Sequence, residues 1–163
     1  QLDNEPGIML IGERRWRPQP LRALGLEFDA VPYVGGSIGN VMTFASAGAI
    51  LRFGQGLDVD YGPPLIRPAL SGLAAVDGRS DLAWYAFVGG QARGVARDIF
   101  LDGNTFSNSH SVNKRHLVGD IQFGVTAVYD GWRIALTQIY RTREFDGQDR
   151  ADRFGALSLS ANF

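Results

Sequence analysis

Residues 117–129 alternate with period two. Leu117, Ile121, Phe123, Val125, Ala127 and Tyr129 fall on one face, and Asp120, Gln122, Gly124 and Thr126 on the other. Successive side chains of a strand point to opposite faces. One side of this segment therefore meets something apolar and the other something polar. Asp130-Gly131 follows, and an Asp-Gly pair between alternating runs is the strongest short-range hairpin signal. The pattern then resumes, with Trp132, Ile134, Leu136 and Tyr140 against Arg133, Ala135, Thr137, Arg141 and Arg143. The last run sets Gly155, Leu157, Leu159, Ala161 and Phe163 against Ala156, Ser158, Ser160 and Asn162. No convincing amphipathic helix interrupts the rhythm.

Upstream the alternation is less clean. Gly7–Trp16 reads as one strand. Leu24, Leu26, Phe28 and Ala30 alternate with Glu27, Asp29, Val31 and Tyr33. Val41, Thr43, Ala45, Ala47, Ala49, Leu51 and Phe53 alternate with Asn40, Met42, Phe44, Ser46 and Arg52, and Trp84, Ala86 and Val88 lie opposite Tyr85, Phe87, Gln91 and Arg93. Ala30–Leu51 carries no charge and is long enough for a spanning helix. Its Pro32, Gly35, Gly36, Gly39 and Gly48 argue instead for two strands and a tight turn at Gly35–Gly39. The pass predicts about seven strands, most near ten residues, with two long connections at Gly54–Asp81 and Asp98–His116.

Composition narrows the classes. The chain has 163 residues, enough for one domain, and 16 Lys+Arg stand against 17 Asp+Glu. That balance excludes a nucleic-acid binder driven by phosphate neutralisation. With no cysteine and two histidines, there is no disulfide scaffold, thiolate site or multi-histidine zinc centre. Gln1 opens the sequence with no leader pattern, so a processed protein or a piece of a longer one is expected.

Three features favour lipid outside the sheet. The strands are long for a globular protein. Aromatics (Trp16, Trp84, Tyr129, Trp132, Tyr140, Phe163) sit near strand ends on the apolar face, as an interfacial girdle does. Glu27, Asp29, Arg52, Arg93, Asp120, Gln122, Arg141 and Arg143 fall on the opposite face. The fold expected is all-β, an antiparallel transmembrane β-barrel. A soluble antiparallel barrel is the competing architecture. Single-chain bacterial barrels have even strand numbers, so seven implies an incomplete barrel or an uncounted strand.

Five segments carry a family resemblance: QLDNEPG at 1–7, GNVMTFASAGAILRFG at 39–54, DYGPPLIRP at 60–68, ARDIFLDGNTFSNSHSVNKRHLVGD at 96–120 and RTREFDGQD at 141–149. Together they resemble the outer-membrane lipid A 3-O-deacylases of the LpxR type. The resemblance implies a twelve-stranded barrel in the bacterial outer membrane and a calcium-dependent esterase that removes the 3-position acyl chain of lipid A. It also implies that the catalytic histidine and the calcium ligands lie upstream of QLDNEPG. Residues 1–163 are then the C-terminal part of a single barrel domain, without a catalytic residue or a metal ligand of its own. Its partners would be lipid A or lipopolysaccharide, outer-membrane lipid and the N-terminal half of the barrel, with no nucleic acid.

Such barrels end on the periplasmic side. This puts Gly35–Gly39, Asp98–His116 and Asp146–Asp152 outside the cell, and Gly54–Asp81, with a capping turn or short helix, in the periplasm. Arg93, Arg97, Lys114, Arg115, Arg141 and Arg143 then gather toward the extracellular end. Arginine forks match phosphate geometry, so the set is the candidate contact for the lipid A headgroup. Singly, each is read as balancing Asp98, Glu144 or Asp146, or facing water. Asn4 and Glu5 are expected to border the active site. Glu27, Asp29 and Arg52 are read as paired charges filling the lumen. Ser109-His110 with Asp102 is weak as a triad, because adjacency is not geometry. Asp102-Gly103-Asn104 reads as a turn rather than a calcium loop. A non-catalytic structural or binding barrel is the second function compatible with the sequence.

Overall fold

A run with one apolar and one polar face forms a stable sheet only by pairing along both its sides and hiding one face. The computed structural model describes residues 4–59, 62–63, 66–67, 70–71, 81–107 and 109–161. Its strands are β1 (Met9–Arg15), β2 (Leu21–Ala23), β3 (Leu26–Gly39), β4 (Met42–Gln55), β5 (Ile66–Arg67), β6 (Leu70–Ser71), β7 (Ala83–Asp98), β8 (Leu117–Tyr129), β9 (Trp132–Arg141) and β10 (Asp152–Ala161). The main sheet is an antiparallel meander in the order β1-β3-β4-β7-β8-β9-β10, with β2 also paired to β3. β5 and β6 make a separate two-residue ladder in the long connection, which starts with a 3-10 turn at Leu57–Val59. The seven expected strands are the seven staves of this sheet. β1 and β2 run along the same side of β3, separated by Arg17-Pro18-Gln19-Pro20, where two prolines cannot donate to the ladder.

Each stave between the two edge strands hides one face. On β8, Leu117 is 70%, Ile121 58% and Val125 53% exposed, while Val118, Gln122, Thr126 and Val128 are buried. The same parity continues on Trp132, Ile134 and Leu136 of β9, on Leu157 and Leu159 of β10 and on Leu51 and Val88 of β4 and β7, all exposed. A single sheet buries one of its own faces by curling, because no second layer packs on it among the described residues. The apolar face is therefore the convex, outer one. The 13 residues of β8 reach about 40 Å at about 3.3 Å each, and a tilt of about 45° leaves a span near 30 Å.

The concave face is less polar than the sequence pattern predicts. Tyr33, Ile50, Leu57, Tyr85 and Phe87 form one buried apolar cluster, and Met42, Phe44, Val95 and Val118 another. Arg52, Arg93, Arg133 and Arg141 are buried among them. A narrow lumen has to be filled by side chains, and aromatic rings fill more of it than carboxylates do. Glycine makes the room: a Cβ on Gly48 would lie 2.6 Å from Tyr33 Cζ, and one on Gly124 2.8 Å from Phe87 Cζ.

Two local expectations are corrected. Gly35–Gly39 is not a turn. These residues are strand, and the chain reverses at Asn40–Val41. A Cβ on Gly36 would lie 2.8 Å from Phe44 O, so the glycines serve close strand approach rather than reversal. Leu24 is not in a strand. Leu24 and Gly25 have φ of 53° and 77°, close to the 49° and 76° of Asp130 and Gly131, so both pairs close type I′-like hairpins. The expected strand end and girdle residue Phe163 lies outside the described residues. At the other edge of the girdle, Phe28, Phe53 and Trp84 meet in sequence on the convex face, the first pair tilted at 4.8 Å between centroids and the second edge-to-face at 6.3 Å.

Candidate functional site

The staves end on two rims. The turn rim carries Leu24-Gly25, the connection after β4 and Asp130-Gly131. The loop rim carries Asn40–Val41, residues 99–116 and residues 142–151.

Charge at the turn rim is sealed. Arg52 binds Asp29 through both Nε and Nη2, and its Nη2 also donates to Leu57 O at 3.0 Å. Glu27 accepts from Leu57 N at 2.7 Å and pairs with Arg22 at 2.9 Å. The guanidinium of Arg52 lies 5.2 Å above the Tyr85 ring. Glu27, Asp29 and Arg52 thus point inward as paired charges that anchor the 3-10 turn.

The loop rim begins in the lumen. Arg141 donates to Asp120 at 2.8 and 3.2 Å, and Arg93 donates to Glu144 at 2.9 Å, with Arg141 3.7 Å from the same oxygen. Burial pushes the Glu144 carboxyl above its ordinary range, and Arg141 and Arg93 only partly offset it. Above this pair the two loops are laced together. Arg115 N donates to Glu144 O at 2.7 Å and Asp146 N to Asn113 O at 2.8 Å, around a bridge between Lys114 and Phe145.

A four-residue helix, α1 (Ile99–Asp102), follows β7. Asp98 caps it by accepting from Phe100 N at 3.0 Å, and Asp102 accepts from Asp98 N at 2.8 Å. Lys114 binds both Asp102 oxygens, at 2.6 and 2.7 Å. Partial burial raises the Asp102 carboxyl, but Lys114 and the Asp98 amide outweigh it and hold it below the usual range. Gly103 closes the helix at φ 82°, so Asp102-Gly103-Asn104 is the end of α1 and its cap, where a turn was expected. Ser109 Oγ accepts from Asn104 N at 2.7 Å, and Asp102 is taken by Lys114; no Ser-His-Asp relay forms.

The N-terminal segment joins this rim. Asn40 accepts from Ile8 N at 2.7 Å through Oδ1 and donates through Nδ2 to Pro6 O at 2.7 Å. Arg97 donates to Asn40 O at 3.0 Å, to Gly103 O at 3.1 Å and to Thr105 Oγ1 at 2.8 Å. Glu5 accepts from Thr105 N at 2.9 Å and from Phe106 N at 3.2 Å. Desolvation at this contact works to raise the Glu5 carboxyl, and hydrogen bonds from Asn104, Phe106 and Thr105 outweigh it, leaving a net lowering.

The candidate residues separate accordingly. Arg93 and Arg141 are buried and bound to carboxylates, Arg97 is held by three oxygens, and Lys114 is held by Asp102. Arg115 pairs with Asp146 at 3.3 Å on an open surface, and Arg143 is exposed. Asn4 is exposed beside Glu5. Sequence reading missed Asn40, whose role rests on main-chain partners more than thirty residues away. Asp98, Asp102 and Asp120 already serve an amide, a lysine and an arginine, and no group of three acidic or histidine side chains converges among the described residues.

The family model for outer membrane protein LpxR matches residues 1–163. Among solved structures, LpxR from Salmonella typhimurium shares the fold with a TM-score of 0.80 at 20% sequence identity. The match covers 100% of this chain and 54% of that one, so the chain spans about half the length of that relative. No curated protein matches.

Proposed function

Because the chain belongs to the outer membrane protein LpxR family, we propose that it forms the C-terminal wall of a lipid A 3-O-deacylase barrel in the bacterial outer membrane. The observation that carries this reading is the unbroken apolar convex face, from Leu51 across Val88 and Ile121 to Leu136 and Leu157, over a lumen packed with rings and bound arginines. Only hydrocarbon around the barrel makes that inversion favourable. In this reading β1 and β10 pair with five further strands. The loop rim is extracellular, where lipid A lies, and the turn rim is periplasmic.

The chemistry is ester hydrolysis. Such an enzyme uses a histidine base for water and calcium to polarise the ester carbonyl. Both belong, in this reading, to residues upstream of Gln1, and no step is drawn from residues of this chain. What this chain contributes is the acyl-facing outer wall, the filled lumen and the loop platform. Of the six candidate cations, Arg115 and Arg143 are the two on open surface. The test is mass spectrometry of lipid A after incubation with the intact protein and with residues 1–163 alone. Loss of the 3-position chain only with the intact protein supports the proposal. Activity of residues 1–163 alone overturns the placement of the chemistry.

The second reading, a non-catalytic barrel, is favoured by the four cations of the loop rim already bound within the chain. An upstream sequence lacking the catalytic histidine or the calcium ligands would decide for it.

A further inference from the structure

The contacts of Glu5, Asn40 and Arg97 close a ring that the wall itself does not need. Asn40 grips the chain at Pro6 and Ile8, each at 2.7 Å. Its own carbonyl is held by Arg97 Nε at 3.0 Å. The other side of the Arg97 fork reaches Gly103 O and Thr105 Oγ1 in the loop after α1. Glu5 returns from the N-terminal segment to the amides of Thr105 and Phe106, one hundred residues further along the chain. Backbone close packing seats the same segment: a Cβ on Gly7 would lie 2.8 Å from Val41 Cγ2, and one on Gly39 2.8 Å from Met9 Cα.

The ring lies at the end of the staves, with Arg97 near the last residue of β7. β1, β3, β4 and β7 are joined by their own ladders, and their outer face is buried by lipid without any of these side chains. Most of these hydrogen bonds are exposed, and each such bond adds only about 1 kcal/mol to the stability of a wall. Their effect is to hold one segment in one place, at the cost of three side chains and a loop ordered together. We propose that Glu5, Asn40 and Arg97 are positioning residues that lock residues 4–8 to the loop after α1 and so set the orientation of the reacting groups borne upstream. This rests on the deacylase reading for its consequence, and on geometry alone for the lock. Pro6 adds stiffness, since its fixed φ transmits the grip on Glu5 to the grip on Ile8.

The lock and its consequence are tested separately in the intact protein in detergent micelles. Amide hydrogen exchange needs no activity. Glu5→Ala is expected to speed exchange at Thr105 and Phe106 by about tenfold, as loss of a charge-assisted bond does. Arg97→Ala is expected to speed it there and at Ile8, whereas Arg97→Lys restores part of the protection. Deacylation is then followed by lipid A mass spectrometry. Glu5→Ala is expected to lower kcat several-fold with KM and thermal midpoint unchanged, and Glu5→Gln, which keeps one acceptor, to recover part of it. Unchanged exchange in Glu5→Ala overturns the lock. Faster exchange with undiminished kcat leaves the lock and overturns its positioning role. A shifted thermal midpoint would mark the residues as structural and overturn the same role. Wild-type protein with no deacylation removes the deacylase reading and the positioning role together, while exchange still decides the lock.

Discussion

The two rims solve the same electrostatic problem differently. At the turn rim Arg52 and Asp29 satisfy each other through two parallel bonds, with Leu57 O and the Tyr85 face completing the guanidinium shell. At the loop rim Arg141 also holds Asp120 through two bonds, but a second carboxylate, Glu144 of the loop, is shared between Arg93 and Arg141. A closed bidentate pair is rigid and self-sufficient. A shared carboxylate under competing arginines depends on how the loops sit. The turn rim is thus closed on itself, whereas the loop rim depends on the placement of its loops.

The strongest way to break that contrast is at Arg52. Arg52→Met strands Asp29 in the lumen and is expected to cost about 3–5 kcal/mol in denaturant unfolding of the refolded protein in micelles. Arg52→Met with Asp29→Leu should recover most of the loss; a double variant as unstable as the single one would reject the sealed-pair account. Next is the outer face. Leu51→Arg is expected to cost about 2–4 kcal/mol if hydrocarbon wets this position. A change within about 0.5 kcal/mol, as on a water-exposed surface, would contradict a lipid-facing wall.

Smaller effects sharpen the loop rim. Arg115→Ala removes an open pair and should change stability by no more than about 1 kcal/mol. Its deacylation KM, measured in the intact protein, is the quantity expected to rise. Acidification separates two carboxylates. Asp102, held below its usual range by Lys114, contributes stability that is present above the ordinary aspartate pKa and disappears as pH falls through its lowered one. Glu144, raised by burial, has the opposite sign: its contribution is complete below the ordinary glutamate pKa and is lost as pH rises through the raised one. Exchange protection across the Lys114–Phe145 bridge, taken relative to the intrinsic exchange rate at each pH, should therefore hold or rise on mild acidification and fall only at lower pH. A monotonic loss of protection from neutrality would contradict the assignment.

Legibility followed sequence distance. Asp130-Gly131 was readable because its residues advertise the backbone they adopt, whereas Leu24-Gly25 takes almost the same angles behind an apolar first residue. The glycines at 35–39 misled, because a glycine needed for close strand approach looks like one needed for a turn. The inward charges Glu27, Asp29 and Arg52 were readable by parity, but not that Leu57 would complete their bonding. The cations of the loop rim were found as a set, while their partners, set by how two loops meet, were not.

Period-two hydrophobicity determined by itself that this chain makes long antiparallel staves, and which side chains share a face, because strand parity is a local property of the backbone. Which arginine meets which carboxylate, and how residues 4–8 reach a loop a hundred positions away, were decided only in three dimensions. The reason is that curvature and loop closure depend on the register of every neighbouring stave at once, and no short window of sequence contains that information.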